Sequence, residues 1–379
     1  MTTTRSRRFV QKPARADDRV ATFAHATLAV ALVLGVGLMS AVRGFRFWTS
    51  GVLGADARET IDRAQPLLHG VSPYPANHYP PLSLLVLAPF GHVPEAHLVL
   101  ASLALACVPI TLRLLGVRDW RCYAAALMWA SVSAAVQTAN ATIFIVLAMA
   151  VAWRYRDMPM RAGVASAVAI SLKLLSWPLV VWLWATRRIK AVGWCVAGVA
   201  LAVPGLLGLI VVFMRPAGGS VTGAASSFSN DLTTPSYGID DLLAGAGAPR
   251  SVAHAAFLGA SLAMAVAAAV FGKRGDDERS FAAAAIATLL AAPNLWPHSF
   301  SFLLLAIGVR RPRFSAVWVL PILMFGLPSG DPDRTALVVA WAVLAVIAFD
   351  LLGSDTTRRF ARIRGVRPSI EPRLSGPRT

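Results

Sequence analysis

Apolar runs and short basic interruptions alternate along almost the whole chain. Residues 21–42, 191–213 and 335–352 come closest to the roughly 20 apolar residues that cross a bilayer as a helix. Shorter runs at 96–112, 122–136, 143–153, 162–172, 175–185, 250–271, 281–292, 299–309 and 314–327 predict further helical crossings. The first run is longer than a signal-peptide core and lacks a small-residue exit, so it reads as a retained anchor.

Lysine and arginine set the direction of each crossing, because short basic loops stay on the cytoplasmic side. The piece 81–91 is short, and Gly91-His92-Val93-Pro94 separates it from the next run. If 81–112 makes one net crossing, then 113–121, 153–161, 185–190, 272–279 and 309–313 all lie inside, together with both termini. Two separate crossings would put every one of these basic loops outside. The pattern therefore predicts about twelve crossings: a cytoplasmic basic tail at 1–19, a membrane domain at 20–352 and an Arg-rich cytoplasmic tail at 353–379. The loop 214–249 is open to two readings, a mobile lid or a plain connector.

Composition agrees. The chain has 379 residues, 56% hydrophobic and 15% charged, with a mean hydropathy of +0.60. About 25% charged is usual for a soluble domain, so the fold class expected is an all-α polytopic membrane protein. The net charge of +17 lies mostly in the tails and inner loops, which is the placement of topology signals and not of a nucleic-acid surface. Cys107, Cys122 and Cys195 show no metal spacing and read as small buried hydrophobes. There is no phosphate-binding glycine loop, no HExxH and no GxSxG.

The sorting leaves the weakly charged polar segments facing outward, and the candidate chemistry is there. Asp56 follows the first crossing; it is open as a general base or as a helix cap with Glu59 three residues on. Glu59 and Asp62 are alternatives for the same role. His78 and Tyr79, before Pro80-Pro81, are open as ligand contacts or as interfacial anchors. Lys173 interrupts an apolar stretch, where an ammonium is expensive and marks a site, an anion such as a lipid phosphate being one candidate. His298, in Pro293-Asn294-Leu295-Trp296-Pro297-His298, could bind phosphate, shuttle a proton or simply pack. Gln137 and Asn140, at an outer turn, could hydrogen-bond a sugar or only shape the turn.

These residues together resemble the polyprenyl-phosphate-dependent glycosyltransferases of family 87, which have the GT-C membrane fold. The resemblance rests on Asp56, Gly70, Pro73-Tyr74, Tyr79-Pro80-Pro81 and Ala88-Pro89. It continues through Ala139-Asn140-Ala141-Thr142, Lys173 with Pro178, and the Pro293–His298 junction. The family's Gly-Gln-x-Asn turn is altered here, and Lys173 lies further from its proline than usual. The resemblance covers about residues 20–310.

It implies a GT-C-like bundle whose outer first loop holds short interfacial helices. It also implies an inverting, metal-independent sugar transfer at the outer face of the plasma membrane, without a cofactor. The donor would be a polyprenyl-phosphate sugar, mannose in preference to arabinofuranose, and the acceptor a glycolipid or cell-envelope glycan. Asp56 would be the catalytic base, Lys173 and His298 would hold the donor phosphate, and Tyr74, His78, Tyr79, Asn140 and Trp296 would contact sugar or acceptor. A lipid-linked sugar transporter and a non-catalytic membrane subunit are the competing classes. A transporter would show paired inverted repeats, and no such symmetry is visible.

Overall fold

A computed structural model describes residues 53–73, 79–213, 236–292, 294–326 and 332–353. Helix of all kinds makes up 79% of the described residues, and they contain no strand. The first apolar run, most of the loop 214–249 and both tails fall outside the described residues.

Four helices among the described residues are long and apolar enough to cross a membrane: Ala96–Leu114, Ile189–Ile210, Arg250–Lys273 and Arg334–Leu352. A fifth span is possible if Ala130–Gln137 and Ala141–Arg154, bent by 112°, count together. In chain order the helices are α1 (Ala55–Leu68), α2 (Pro81–Leu87), α3 (Ala96–Leu114), α4 (Trp120–Leu127), α5 (Ala130–Gln137), α6 (Ala141–Arg154), α7 (Pro159–Leu172) and α8 (Pro178–Ala185). They continue as α9 (Ile189–Ala200), α10 (Leu206–Phe213), α11 (Ile239–Gly245), α12 (Arg250–Lys273), α13 (Asp277–Leu290), α14 (Leu303–Arg310) and α15 (Arg334–Leu352).

Several runs expected as single helices are broken. The run 122–136 is two helices, α4 and α5, meeting at Met128 and Trp129. The runs at 175–185 and 299–309 are entered through 3-10 turns, Leu174–Ser176 and Pro297–Phe302. The run 314–327 holds 3-10 turns at Ala316–Trp318 and Leu320–Gly326. Between α9 and α10, Leu201–Gly205 widens into a π turn at Pro204, whose ring and missing N–H disturb the regular helix ladder.

The start signals are local. Pro81, Pro159 and Pro178 stand at first helical positions, where the missing N–H costs nothing. The side chains of Asp119, Asn140, Asp276 and Asp333 accept hydrogen bonds from the first free N–H groups of α4, α6, α13 and α15.

Helix α13 is the central post. Every residue from Ser280 to Leu290 is buried, so it is apolar on all sides rather than amphipathic. Its run Ala282-Ala283-Ala284-Ala285 lets neighbours approach closely, and α8, α12, α14 and α15 all pack on it. So do both 3-10 turns, Leu174–Ser176 and Pro297–Phe302. The span Ile189–Ile210, by contrast, buries only 11% of its apolar window within the protein, which suits a lipid-facing helix. All three cysteines are buried and unpaired.

The basic loops assigned to one side by charge meet at one end of the bundle. Asp277 takes Arg156 at 3.1 Å and Arg188 at 2.9 Å, and accepts from Trp182 Nε1 at 2.8 Å. Glu278 pairs with Arg310, and Asp350 with Arg311. Asp119 accepts from the backbone N–H of Phe314 and is chelated by Arg121, which holds its carboxyl below the usual carboxylate range. All five basic loops are thus joined through α13's first turn or Asp119. Beneath them Trp153, Trp182 and Phe281 stack within 6.0 Å of one another, and Arg156 lies 4.3 Å from the Trp153 ring.

Asp277 is the hub of this end, so Asp277→Ala should take a carboxylate from two guanidinium groups, leaving Arg188 only the exposed Asp157. Exposed pairs contribute up to about 1 kcal/mol and fully buried ones about 3–5 kcal/mol. The partly exposed Asp277 belongs between, with an expected loss of about 2 kcal/mol in denaturant unfolding in detergent. An unchanged transition midpoint would remove Asp277 from that role.

Candidate active site at the opposite end of the bundle

Helix direction separates this end from the ion pairs. α6 runs from Asn140 to Arg154, α7 from Pro159 to Leu172 beside Lys173, and the 297–310 segment from His298 to Arg310. Each has one end at the ionic network and the other here. A 14-residue helix such as α6 or α7 is about 21 Å long.

Asp56 is positioned by an unusual start to α1. The cap is Gly54, with no side-chain hydrogen bond, and Asp56 is the second helical residue. The expected alternative of Asp56 as cap with Glu59 as its partner therefore does not hold. Glu59 instead pairs with Arg63 four residues on, at 2.6 Å, and both Glu59 and Asp62 are exposed. The free N–H groups at a helix start need partners, and here another helix supplies them. Gly54 N–H donates to the Gln137 carbonyl at 2.6 Å, and Ala57 N–H to the Thr138 carbonyl at 3.2 Å. The C-terminus of α5 thus caps the N-terminus of α1. Gly54 has φ +68°, and a Cβ there would collide with His97 Cβ, so both backbone shape and space demand glycine.

This docking sets Asp56 against the α5–α6 turn. Asn140 Nδ2 donates to Asp56 Oδ2 at 2.7 Å. The amide cannot turn over freely, because Asn140 Oδ1 accepts from Thr142 N–H at 2.9 Å and from Thr142 Oγ1 at 2.6 Å. Ala139 just before it has φ +51°, a left-handed conformation that a residue with a side chain rarely adopts.

Lys173 ends α7 in an extended conformation, with φ −157°. Ser83 Oγ on α2 donates to the Leu172 carbonyl at 2.7 Å, anchoring the break to the segment after Pro80-Pro81. His298 follows Pro297 in the next 3-10 turn. The three groups share one electrostatic neighbourhood: the Asp56 charge acts on both Lys173 and His298, and the Lys173 charge acts on His298. Burial, then Lys173, lowers the His298 pKa to about 4, with Asp56 pulling the other way. His298 is therefore neutral at pH 7 and offers one N–H donor.

The remaining expected contacts divide. Tyr79 packs against a small apolar cluster that includes Ala64, Leu67 and Leu84. Its hydroxyl interacts with Thr60, and Arg63 lies 5.9 Å from its ring. Trp296 is partly exposed and extended, next to Leu295, whose carbonyl accepts from Tyr237 N–H at 2.7 Å. Tyr74 and His78 lie outside the described residues. Gly54 and Ser83 carried no chemical signal in the sequence, since their parts are played through backbone and helix anchoring. Among the described residues no group of three or more His, Cys, Asp or Glu side chains could hold a metal ion.

The arrangement is a carboxylate held by an amide, with an ammonium and a neutral imidazole nearby. It can take a proton from a hydroxyl and stabilise negative charge developing a short distance away. Neither the curated proteins nor the solved structures compared with this chain give a match. A family model does: glycosyltransferase family 87 matches residues 77–297, which take in Asn140, Lys173 and Trp296 and end one residue before His298. Since that match covers more than half of the chain, the chain belongs to glycosyltransferase family 87.

Proposed function

We propose that this glycosyltransferase moves mannose from a polyprenyl-phosphate donor to a lipid-linked or cell-envelope glycan acceptor at the outer face of the plasma membrane. The observation that carries the reading is the meeting of Asp56, Asn140, Lys173 and His298, which come from four separate stretches of chain. The grouping of the basic loops at the other end supports both termini being cytoplasmic, with about twelve crossings in a GT-C-like bundle between tails at 1–19 and 353–379.

Asp56 removes the proton of the acceptor hydroxyl. That oxygen bonds to the anomeric carbon from the face opposite the phosphate, inverting the centre. The bond from the anomeric carbon to the phosphate oxygen breaks, and the lipid phosphate leaves with the electron pair. Its charge grows as the bond lengthens, so Lys173 and the N–H of His298 stabilise the transition state more than the bound donor. Trp296 and Tyr79, with Tyr74 and His78, are assigned to sugar and acceptor.

Purified protein should transfer sugar from polyprenyl-phosphate mannose in a radiolabel assay, and more slowly from polyprenyl-phosphate arabinofuranose. Faster transfer from the second donor would replace mannose by arabinose. Movement of either lipid across vesicles without transfer would replace the enzyme by a transporter.

A further inference from the structure

Buried hydroxyls that bond to nothing are uncommon, and each one calls for an explanation. In this protein Thr60, Ser102, Thr138 and Thr288 bond to the carbonyl four residues back, the usual outlet for a hydroxyl in a helix. Seven buried hydroxyls among the described residues do not, and bond to nothing; two of them, Ser176 and Ser301, are fully buried in the 3-10 turns that follow Lys173 and contain His298.

Their places in the chain match. Ser176 ends the 3-10 turn Leu174–Ser176, three residues after Lys173, and its N–H donates to the Lys173 carbonyl. Ser301 lies in the 3-10 turn Pro297–Phe302, three residues after His298. With three residues per turn, positions i and i+3 of a 3-10 helix lie above one another. Ser301 thus lies one turn below His298, while Ser176 is tied to Lys173 through the hydrogen bond from its N–H to the Lys173 carbonyl. Both turns pack on α13, and the Lys173 charge acts on His298.

We propose that Ser176 and Ser301 complete the oxyanion site, donating to the phosphate of the lipid donor when it enters between the two turns alongside Lys173 and His298. The inference rests on the phosphate-binding role given above to Lys173 and His298. It adds two neutral donors whose hydroxyls cost stability when buried alone and repay it when a phosphate oxygen accepts from them.

The same energetics supply the test. If the hydroxyls serve no ligand, serine to alanine removes an unsatisfied group, leaving function untouched and the protein as stable or more so. Binding of farnesyl phosphate, with farnesol as control, would be measured on full-length protein in detergent for Ser176→Ala, Ser301→Ala, the double variant and Lys173→Met, with thermal midpoints in parallel. Each single variant should weaken farnesyl phosphate at least threefold and the pair at least tenfold, with farnesol unchanged and no loss of thermal midpoint. Full affinity in both single variants, while Lys173→Met loses it, overturns this proposal alone. Full affinity in Lys173→Met as well overturns the phosphate-binding role beneath it. If the double variant fails to fold, the single variants decide.

Discussion

Asp56→Asn should lower sugar transfer about 10³-fold, within the roughly 10²–10⁴ that a positioned general base contributes. The change keeps the size of the side chain and can keep one hydrogen bond to the Asn140 amide, now through a carbonyl oxygen. The N–H contacts that dock α1 on α5 are backbone groups and are untouched. Folding should therefore survive, and the loss should appear in kcat with the donor KM little changed. Transfer at the wild-type rate in a folded Asp56→Asn protein would remove Asp56 from the chemistry. The family match begins at residue 77, beyond Asp56, so this assignment stands on the geometry and on the first-loop resemblance.

Lys173→Met should cost about 10²–10³-fold in kcat/KM, the range seen when one preorganised charge-stabilising group is removed from a transition state. Methionine has a similar length and apolar character, so the end of α7 should keep its shape. The effect should fall on both donor KM and kcat, unlike that of Asp56→Asn. Lys173 also depresses the His298 pKa. Without its positive charge that pKa must rise, so a histidine limb in the pH–rate profile should move up from about 4 toward the ordinary imidazole range of about 6.5. A variant with wild-type kcat/KM and an unmoved profile would leave Lys173 a purely structural residue.

The large-scale order of the chain was readable because charge and apolarity act over whole segments. Arg156, Arg188, Arg310 and Arg311 lie in loops that the positive-inside rule placed together, and the ion pairs with Asp277, Glu278 and Asp350 bring them together. Helix breaks were harder to see. The run 299–309 is apolar apart from Ser299 and Ser301, and only Pro297 hinted that its entry would be a tight turn. Lys173, His298 and Asn140 were visible as polar residues in unexpected places, which is a local signal. Their meeting with Asp56 follows from no periodic pattern, since Asp56 and Asn140 stand 84 positions apart; it was expected only from the outward sorting of the polar loops and from the family resemblance. The head-to-tail contact of α1 with α5 is made by backbone atoms and leaves no mark on side-chain composition beyond a glycine at 54.

That backbone contact bears on which product forms. Asp56 sits on a helix whose origin is bonded to a neighbouring helix end, and its carboxylate is tied to an amide that is itself tied down. Such a base cannot swing to follow an acceptor. In the base role proposed for it, Asp56 would take a proton from whichever hydroxyl is delivered to one point in space. The regiochemistry of the new glycosidic linkage is then set by how far the acceptor's own anchor lets its sugar rise to that point. A longer or shorter tether on the acceptor would change the linkage without any change in the protein.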